Sequence, residues 1–556
     1  MGYIKNWIVH YPKFFVFVIA LITTLGIQFS SPGFLAPDDP YYHVRHAAAY
    51  NTGEIIHIPV YSTIKPGGDL YPVYHYLLSF FVRGYDGTNS NVLVVGSIIF
   101  HALLTAGIYV VFYHILYSLL RLSIPERPQR LTTVYALIGT LFLTACAMMF
   151  FFRALLQRPH LFSVIALMLA FYFTLRKKYV GLFLIGLILP GLYSTSFFIL
   201  VPPGVFVVYT LINFKTRKLV AEALKLFSVT LIGLSLGLAM LPHAAHHFYN
   251  TYTVNFLTLY NSIFYGHKIL EGAELYGYYF TIGGDWIWII AFGILMSRYW
   301  ERCVRHIKKL PDPTPVKSFE KGFLFFTALA FLIPMHFVVR TAEYFFPLAA
   351  LAVAWHASDA FYTYTLNPSS RISSFFMNNK KIIVGLIIGI LVGQTFYYAT
   401  VTVDAKNHMA PHDRYKPAAL YLKEHAKDSM VFIQNFGMYP QLIFYNNESW
   451  YPMGMASIFT YAYDPAYYWA HFNSSYGDIV CSEEVCTKEN EEDMFVVLHD
   501  TFKAKYVLID TAKKIGILDM LPVDAAAKRL ESDKRFEKVF TDTKNPEIMI
   551  YALKAE

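Results

Sequence analysis

The sequence predicts a polytopic α-helical membrane protein of about eleven spans, closed by a small extracytoplasmic α/β domain. Three observations predict it. Of 556 residues, 56% are hydrophobic and only 15% are charged, where a soluble chain carries about 25%. Apolar runs recur from the N-terminus to about residue 400 at lengths near those a helix needs to cross a bilayer. Beyond residue 400 the pattern changes to short strand-like and helix-like segments separated by polar turns.

The apolar runs lie near 14–29, 92–119, 132–152, 161–175, 179–190, 198–213, 223–241, 286–299, 322–338, 342–360 and 382–400. The first has no small-residue cleavage site and reads as a retained span. Aromatics reach 18%, with 43 Tyr and 48 Phe, which suits side chains at membrane interfaces.

Lys and Arg orient the spans, because cytoplasmic loops carry the excess. Lys5 and Lys13 precede the first run, and Arg121, Arg127 and Arg130 follow the second. Arg176, Lys177 and Lys178 follow the fourth, Lys215, Arg217 and Lys218 the sixth, and "SRYWERCVRHIKKL" the eighth. The alternate exits are not basic in this way: they hold Arg45, Lys65, Arg83, Arg153, Arg158, Lys268 and Arg340, mostly in long loops. This places the N-terminus in the cytoplasm and residues 401–556 outside an inner or plasma membrane. The +8 formal charge is thereby accounted for without a nucleic-acid partner. The pattern needs 179–213, interrupted by Pro190, Pro202 and Pro203, to be two short spans or a re-entrant pair.

The predicted organisation is a membrane domain over 1–400, with long outer loops at 30–90 and 242–285, and an outer α/β domain over 401–556. In that domain "DRYKPAALYLKEHA" and "AAAKRLESD" have helical spacing. "MVFIQ" and "AKYVLID" read as strands, and "FEKVF" with "IMIYAL" as a closing hairpin. Cys481 and Cys486, in "CSEEVC", favour a small disulfide loop in an oxidising compartment over free thiols or zinc.

The candidate chemistry begins at "LAPDDPYYHVRHAAAY", just past the first run. "PYYHVRHAAAYNTG" reads as a short helix with proline at its start and Gly53 behind it. Asp38 and Asp39 then sit at its positive N-terminal end, and a plain helix cap is the simplest role for them. The same loop holds His43, Asp69 and His75. The loop "FFRALLQRPH" supplies Arg153, Arg158 and His160, and "MHFVVRTAEYFFP" supplies Arg340 and Glu343. The last loop is so short that both charges lie at or below the membrane surface. Charges there are costly and functional by default; a structural Arg340–Glu343 pair is the alternative. The loop 242–285 adds His243, His246 and His247, either ligand-binding or interfacial, and Glu271 and Glu274. All these groups are expected on one side of the membrane. Carboxylates can act as general bases toward a hydroxyl, and arginines grip phosphate oxygens. That combination suits transfer of a group from a lipid-linked phosphate. No phosphate loop of the GxxxxGK[ST] type occurs, nor a GxSxG elbow or HExxH helix.

With "DDPYYHVR" in the first outer loop, the chain resembles the GT-C superfamily of membrane glycosyltransferases, which use polyprenyl-phosphate-linked sugars. "DPYYH" is similar to the first acidic motif of oligosaccharyltransferase catalytic subunits. "HAAHHFYNTYTVNF", "GAELYGY", "VVRTAEYFFP" and "FYNNESWYPMGMASIFTYAYDPAYYW" extend the resemblance over most of the chain. The resemblance implies Asp39, with Asp38 beside it, as the catalytic carboxylate, and Arg340 as the donor-phosphate residue. Arg153 and Arg158 would join Arg340 there, while His43, Asp69, His75, Glu343, His243 and His247 would contact substrate. It also implies a polyprenyl-phosphate-linked sugar as donor, a glycan, lipid or protein as acceptor, and a divalent cation, Mg2+ or Mn2+, near Asp39. Two departures stand out. The second loop has no carboxylate where oligosaccharyltransferases carry a second acidic motif that helps bind a metal, and the WWD motif that reads an acceptor sequon is absent. They weaken protein N-glycosylation and a tightly held metal. The readings left open are a transferase with little or no need of metal, an oligosaccharyltransferase, and a transporter or flippase of lipid-linked sugars, for which intramembrane charges would also serve.

Overall fold

A computed structural model describes residues 10–36, 38–59, 69–85, 89–213, 216–242, 244–249, 288, 290–297, 299, 319–335, 341–366, 371–408, 413–454, 457–512 and 522–554. The chain forms two compact units. One comprises Met1–Ser31, Ile99–Gly237 and Tyr276–Asn407; the other comprises Pro32–Ile98, Leu238–Leu275 and His408–Glu556.

The first unit is helical. Its helices include α1 (Pro12–Gln28), most of α4 (Ser90–Ser123), α5 (Gln129–Ala145), α6 (Met148–Ala154), α7 (His160–Leu175), α8 (Tyr179–Leu192), α9 (Val201–Asn213), α10 (Arg217–Ala239), α11 (Phe319–Met335), α12 (Ala342–Leu366) and α13 (Arg371–His408). The second unit begins with α2 (Asp39–Thr52) and α3 (Pro72–Ser79). Among the described residues, three helices are long and apolar enough to cross a membrane: Ser90–Ser123, Arg217–Ala239 and Asn378–Asn407. The chain is thus a membrane protein with a helical domain and a C-terminal α/β part; the count of eleven spans goes beyond this.

Two apolar runs fold differently from a straight span. The run 132–152 breaks at Cys146 and Ala147, and α5 and α6 meet at 93°. The proline-containing stretch 179–213 divides into α8, a 3₁₀ turn at Ser196–Leu200, and α9. Pro202 and Pro203 fall in the first turn of α9, where a missing N–H costs nothing. Gly186 lets α8 approach α10 closely: a Cβ on it would lie 2.8 Å from the backbone N of Leu234. Small residues at such contacts are what packs helices in lipid.

The second unit holds a mixed four-stranded sheet, β1 (Met430–Ile433), β2 (Ala504–Asp510), β3 (Phe536–Thr541) and β4 (Ile548–Leu553), in the order β1-β2-β4-β3. β1 and β2 are parallel; β2–β4 and β3–β4 are antiparallel. The strand and hairpin segments read from the sequence therefore occur where expected, as do α14 (Lys416–His425) and α17 (Ala525–Ser532). Two further helices, α15 (Tyr439–Tyr445) and α16 (Pro465–Tyr476), cover the sheet region. Cys481 and Cys486 are joined in a disulfide.

The segment that follows α1 is built into the core of this unit. Tyr42, Ile56 and Ile58 are buried in one cluster with Ala418, Leu422, Val431, Leu442, Leu508 and Ile550. The Asn447 amide donates to the Ile55 carbonyl at 2.7 Å, and its oxygen accepts from the His57 backbone N–H at 3.0 Å. The His57 ring stacks on Trp450 with centroids 4.1 Å apart. Asn447 thereby satisfies two backbone groups of 53–59, a stretch that forms no regular element.

Candidate functional site in the first outer loop

Helix α2 starts at the acidic motif. Asp38 occupies the N-cap position but its side chain makes no capping hydrogen bond. The backbone closes the turn instead, Tyr41 N–H donating to the Asp38 carbonyl at 3.0 Å. Asp39 is in the first turn, followed by Pro40, and the N-terminal dipole favours its charge. Both carboxylates are half-buried. Gly53 ends the helix at φ +71°, a conformation that glycine adopts without a Cβ penalty.

The faces of α2 explain the YYHVRH pattern. Tyr41 packs edge-on against Phe34 and Phe444, at 4.8 and 5.1 Å between centroids. Tyr42 and Tyr74 are buried, and burial pushes both phenols well above the ordinary tyrosine value, with the charge of Asp39 adding to the effect at each. Arg45 is buried and held by Glu54 at 2.7 Å and by the Tyr85 hydroxyl at 3.1 Å.

His43, His46, Asp69 and His75 converge where α2 packs on α3. His75 is fully buried. Its Nδ1 lies 2.7 Å from Asp69 Oδ1, and its Nε2 lies 2.9 Å from His43 Nδ1. Asp69 also accepts from the Tyr71 backbone N–H at 2.8 Å and from the Tyr50 hydroxyl at 3.0 Å. The His46 ring stacks on His75, centroids 5.1 Å apart, and on its other side meets Tyr42 at 4.2 Å. Burial alone would raise the Asp69 carboxyl. The charge and hydrogen bond of His75, with the charge of His46 and the Tyr71 N–H, overcome it and hold the carboxyl below its usual range. Burial, then repulsion from His75, lowers His46 to about 3.

Three of the residues singled out in the sequence, His43, Asp69 and His75, are thus brought together. His46 completes the cluster and was passed over, although its i, i+3 spacing from His43 placed it one turn along the same helix face. His247 is buried on the short helix Ala244–Phe248. Arg340, His243, Glu271 and Glu274 lie outside the described residues.

The helical unit holds a second polar cluster. Arg153, at the end of α6, forms a buried ion pair with Glu343 in the first turn of α12. His160 Nε2 lies 2.9 Å from the Arg153 carbonyl. Glu343 is therefore engaged by Arg153 at the end of α6; an Arg340–Glu343 pair lies outside the described residues. Nearby in the same unit, Gln157 donates to Gln28, Gln28 to the Leu155 carbonyl, and Lys406 to the Ser31 carbonyl at 2.7 Å. Arg158 is half-buried.

The divalent cation of the resembled family has no matching donor set at Asp39. Among the described residues, the group of His, Cys, Asp or Glu side chains close enough to share an ion is His46, Asp69 and His75, without Asp38 or Asp39. Nor does 153–160 contain a carboxylate.

No protein-family model matches the sequence. No curated protein matches it either. Solved structures do. An archaeal oligosaccharyltransferase, AglB from Archaeoglobus fulgidus in complex with an inhibitory peptide and a dolichol-phosphate, aligns over 91% of this chain and 70% of its own, at 15% identity and a TM-score of 0.59. The Archaeoglobus fulgidus oligosaccharyltransferase tethered to an acceptor peptide with an NVT sequon aligns over 99% and 75%, at 15% identity and a TM-score of 0.57. The mycobacterial arabinofuranosyltransferase AftD aligns over 97% and 40%, at 12% identity and a TM-score of 0.47. The alignment with the archaeal enzyme runs through both the helical and the α/β parts, and the chain has a GT-C fold.

Proposed function

We propose that the chain is a membrane glycosyltransferase that moves a sugar from a polyprenyl-phosphate-linked donor to an acceptor on the extracytoplasmic side, with inversion. The observation that carries this reading is the start of α2. A GT-C fold presents two half-buried carboxylates at the positive end of a helix, one of them in the N-cap position without a capping hydrogen bond. The complex of AglB with a dolichol-phosphate and that of the Archaeoglobus fulgidus oligosaccharyltransferase with an acceptor peptide support the donor and acceptor classes by likeness of fold.

In this reading Asp39 takes the proton of the acceptor hydroxyl as its oxygen attacks the anomeric carbon. The bond from that carbon to the phosphate oxygen breaks, and the polyprenyl phosphate leaves. Asp38, its neighbour at the N-cap position, completes the carboxylate pair. Arg340 holds the departing phosphate, with Arg158 as a second cation. Arg153 is already neutralised by Glu343, so its part is to fix the second loop rather than to carry a free charge. A phosphate leaving group needs no second carboxylic acid, in contrast to glycoside hydrolysis. His43, His243 and His247 are the remaining candidates for acceptor contact. The mutual engagement of Asp69 and His75 favours a supporting role for both. The N-terminus is placed in the cytoplasm, with about eleven spans in all.

Mass spectrometry of lipid retained by the gently purified protein tests the donor class. A polyprenyl-phosphate hexose or pentose supports it. A preparation that transports lipid-linked sugar equally well with Asp39 replaced by Asn would instead identify a transporter. A protein acceptor is the second reading, favoured by the peptide complexes of AglB; label passing from a lipid-linked glycan to a sequon peptide would establish it.

A further inference from the structure

We propose that His46, Asp69 and His75 form a binding site for a divalent metal ion of the zinc class, which clamps α2 to α3 and is distinct from any cation at Asp39. One ligand atom from each of the three residues lies within 4.8 Å of the other two. The donors come from three places in the chain: His46 from α2, Asp69 from the segment before α3, and His75 from α3 itself. Nε2 of His46 is buried without a hydrogen-bond partner, on a side chain only 5% exposed. A buried ring nitrogen left unsatisfied carries the full desolvation penalty of that group, and coordination to an ion is one way to recover it.

The donor set selects the ion. Two imidazoles and one carboxylate match zinc and its neighbours, whereas magnesium and calcium call for oxygen ligands throughout. Zinc ligands stand about 3.3 Å apart at ordinary bond lengths, so no pair here, all within 4.8 Å, has to close by more than about 1.5 Å. Tyr50 and the Tyr71 N–H, which bond to Asp69, would orient the carboxylate as outer partners do in metal sites. His43, 2.9 Å from His75 Nε2, is the nearest further imidazole. The site would be structural. It would hold the loop backbone in the form that presents Asp38 and Asp39, which themselves take no part.

The test uses the full-length protein in detergent, stripped with chelator and reloaded with zinc or cobalt alone. Expected are about one tightly held zinc per chain, the intense visible absorption of four-coordinate cobalt, and a higher melting temperature on loading. His46→Ala and the isosteric Asp69→Asn should each lose the bound zinc, the cobalt spectrum and the shift. Asp39→Asn should keep all three. Size exclusion and melting of the stripped variants show that they are folded. Equal zinc binding by folded His46→Ala and Asp69→Asn would overturn the assignment. So would loss of the metal in Asp39→Asn alone, or no stoichiometric zinc or cobalt in the unsubstituted protein.

Discussion

Tyr41, in the acidic-motif helix, packs edge-on against Phe444 of the C-terminal part, with ring centroids 5.1 Å apart. Some 400 residues separate them in sequence, and both are buried. The helix that begins at Asp39 is therefore seated in the core of the α/β unit, along with Ile56 and Ile58. Truncating Phe444 to Ala should cost about 3–5 kcal/mol, typical of a buried aromatic. A double-mutant cycle with Tyr41→Ala should give a coupling of about 0.5–1.5 kcal/mol. Thermal or denaturant melts of the four proteins measure it; strict additivity would mean that the contact does not hold the helix.

Asp39→Asn keeps the shape of the helix start and removes the proposed base. Transfer from a polyprenyl-phosphate sugar should fall about 10²–10⁴-fold, with the melting temperature changed little. Asp38→Asn should have a smaller effect. Unchanged turnover in Asp39→Asn would remove the base assignment.

Glu343→Ala leaves the Arg153 guanidinium buried without its carboxylate. Breaking such a pair costs about 3–5 kcal/mol, while replacing both partners with apolar side chains is often close to neutral. The double variant Arg153→Met/Glu343→Met should therefore melt well above Glu343→Ala. If the double variant melts no higher, the penalty does not come from a stranded charge.

His471 of α16 is buried, and its Nε2 lies 2.8 Å from the Ile433 carbonyl. Burial lowers it to about 4, partly offset by that carbonyl, against about 6.5 when unfolded. The unfolded state therefore takes up a proton first as pH falls. The neutral ring favours folding fully above about pH 6.5, and that contribution fades as pH drops toward about 4. Between about pH 7 and about pH 5 it should cost about 2 kcal/mol of stability. His471→Gln keeps a donor for Ile433 and should flatten this part of the pH profile. Parallel melting curves for the two proteins across the range would show that another group is responsible.

The secondary structure of the C-terminal part was legible because each strand carries its own local signal. "AKYVLID" and "IMIYAL" are β-branched and apolar runs bounded by turns, and they form β2 and β4. The start and stop of α2 were equally local, with proline at one end and Gly53 at the other. The aromatics of "YYWAHF" belong to α16. Tyr468 and Trp469 are buried with Met453, which favours packing. Asn447 and Asn473 head N-x-S patterns, yet both amides serve the fold: Asn447 binds the Ile55 carbonyl, and the buried Asn473 binds those of Cys481 and Glu483.

By itself the sequence determined the membrane class, the segments of the sheet and the carboxylates at the head of α2. Composition, periodicity and turn chemistry are short-range properties, read within a window of a few turns. The tertiary structure alone decided which distant groups meet. It joined Glu343 to Arg153, built the first outer loop into the α/β core, and closed His43, His46, Asp69 and His75 into one cluster. Those pairings are set by burial. A charged or polar side chain withdrawn from water has to find a partner, and which partner lies within reach depends on how the helices pack, not on the residues beside it in the chain.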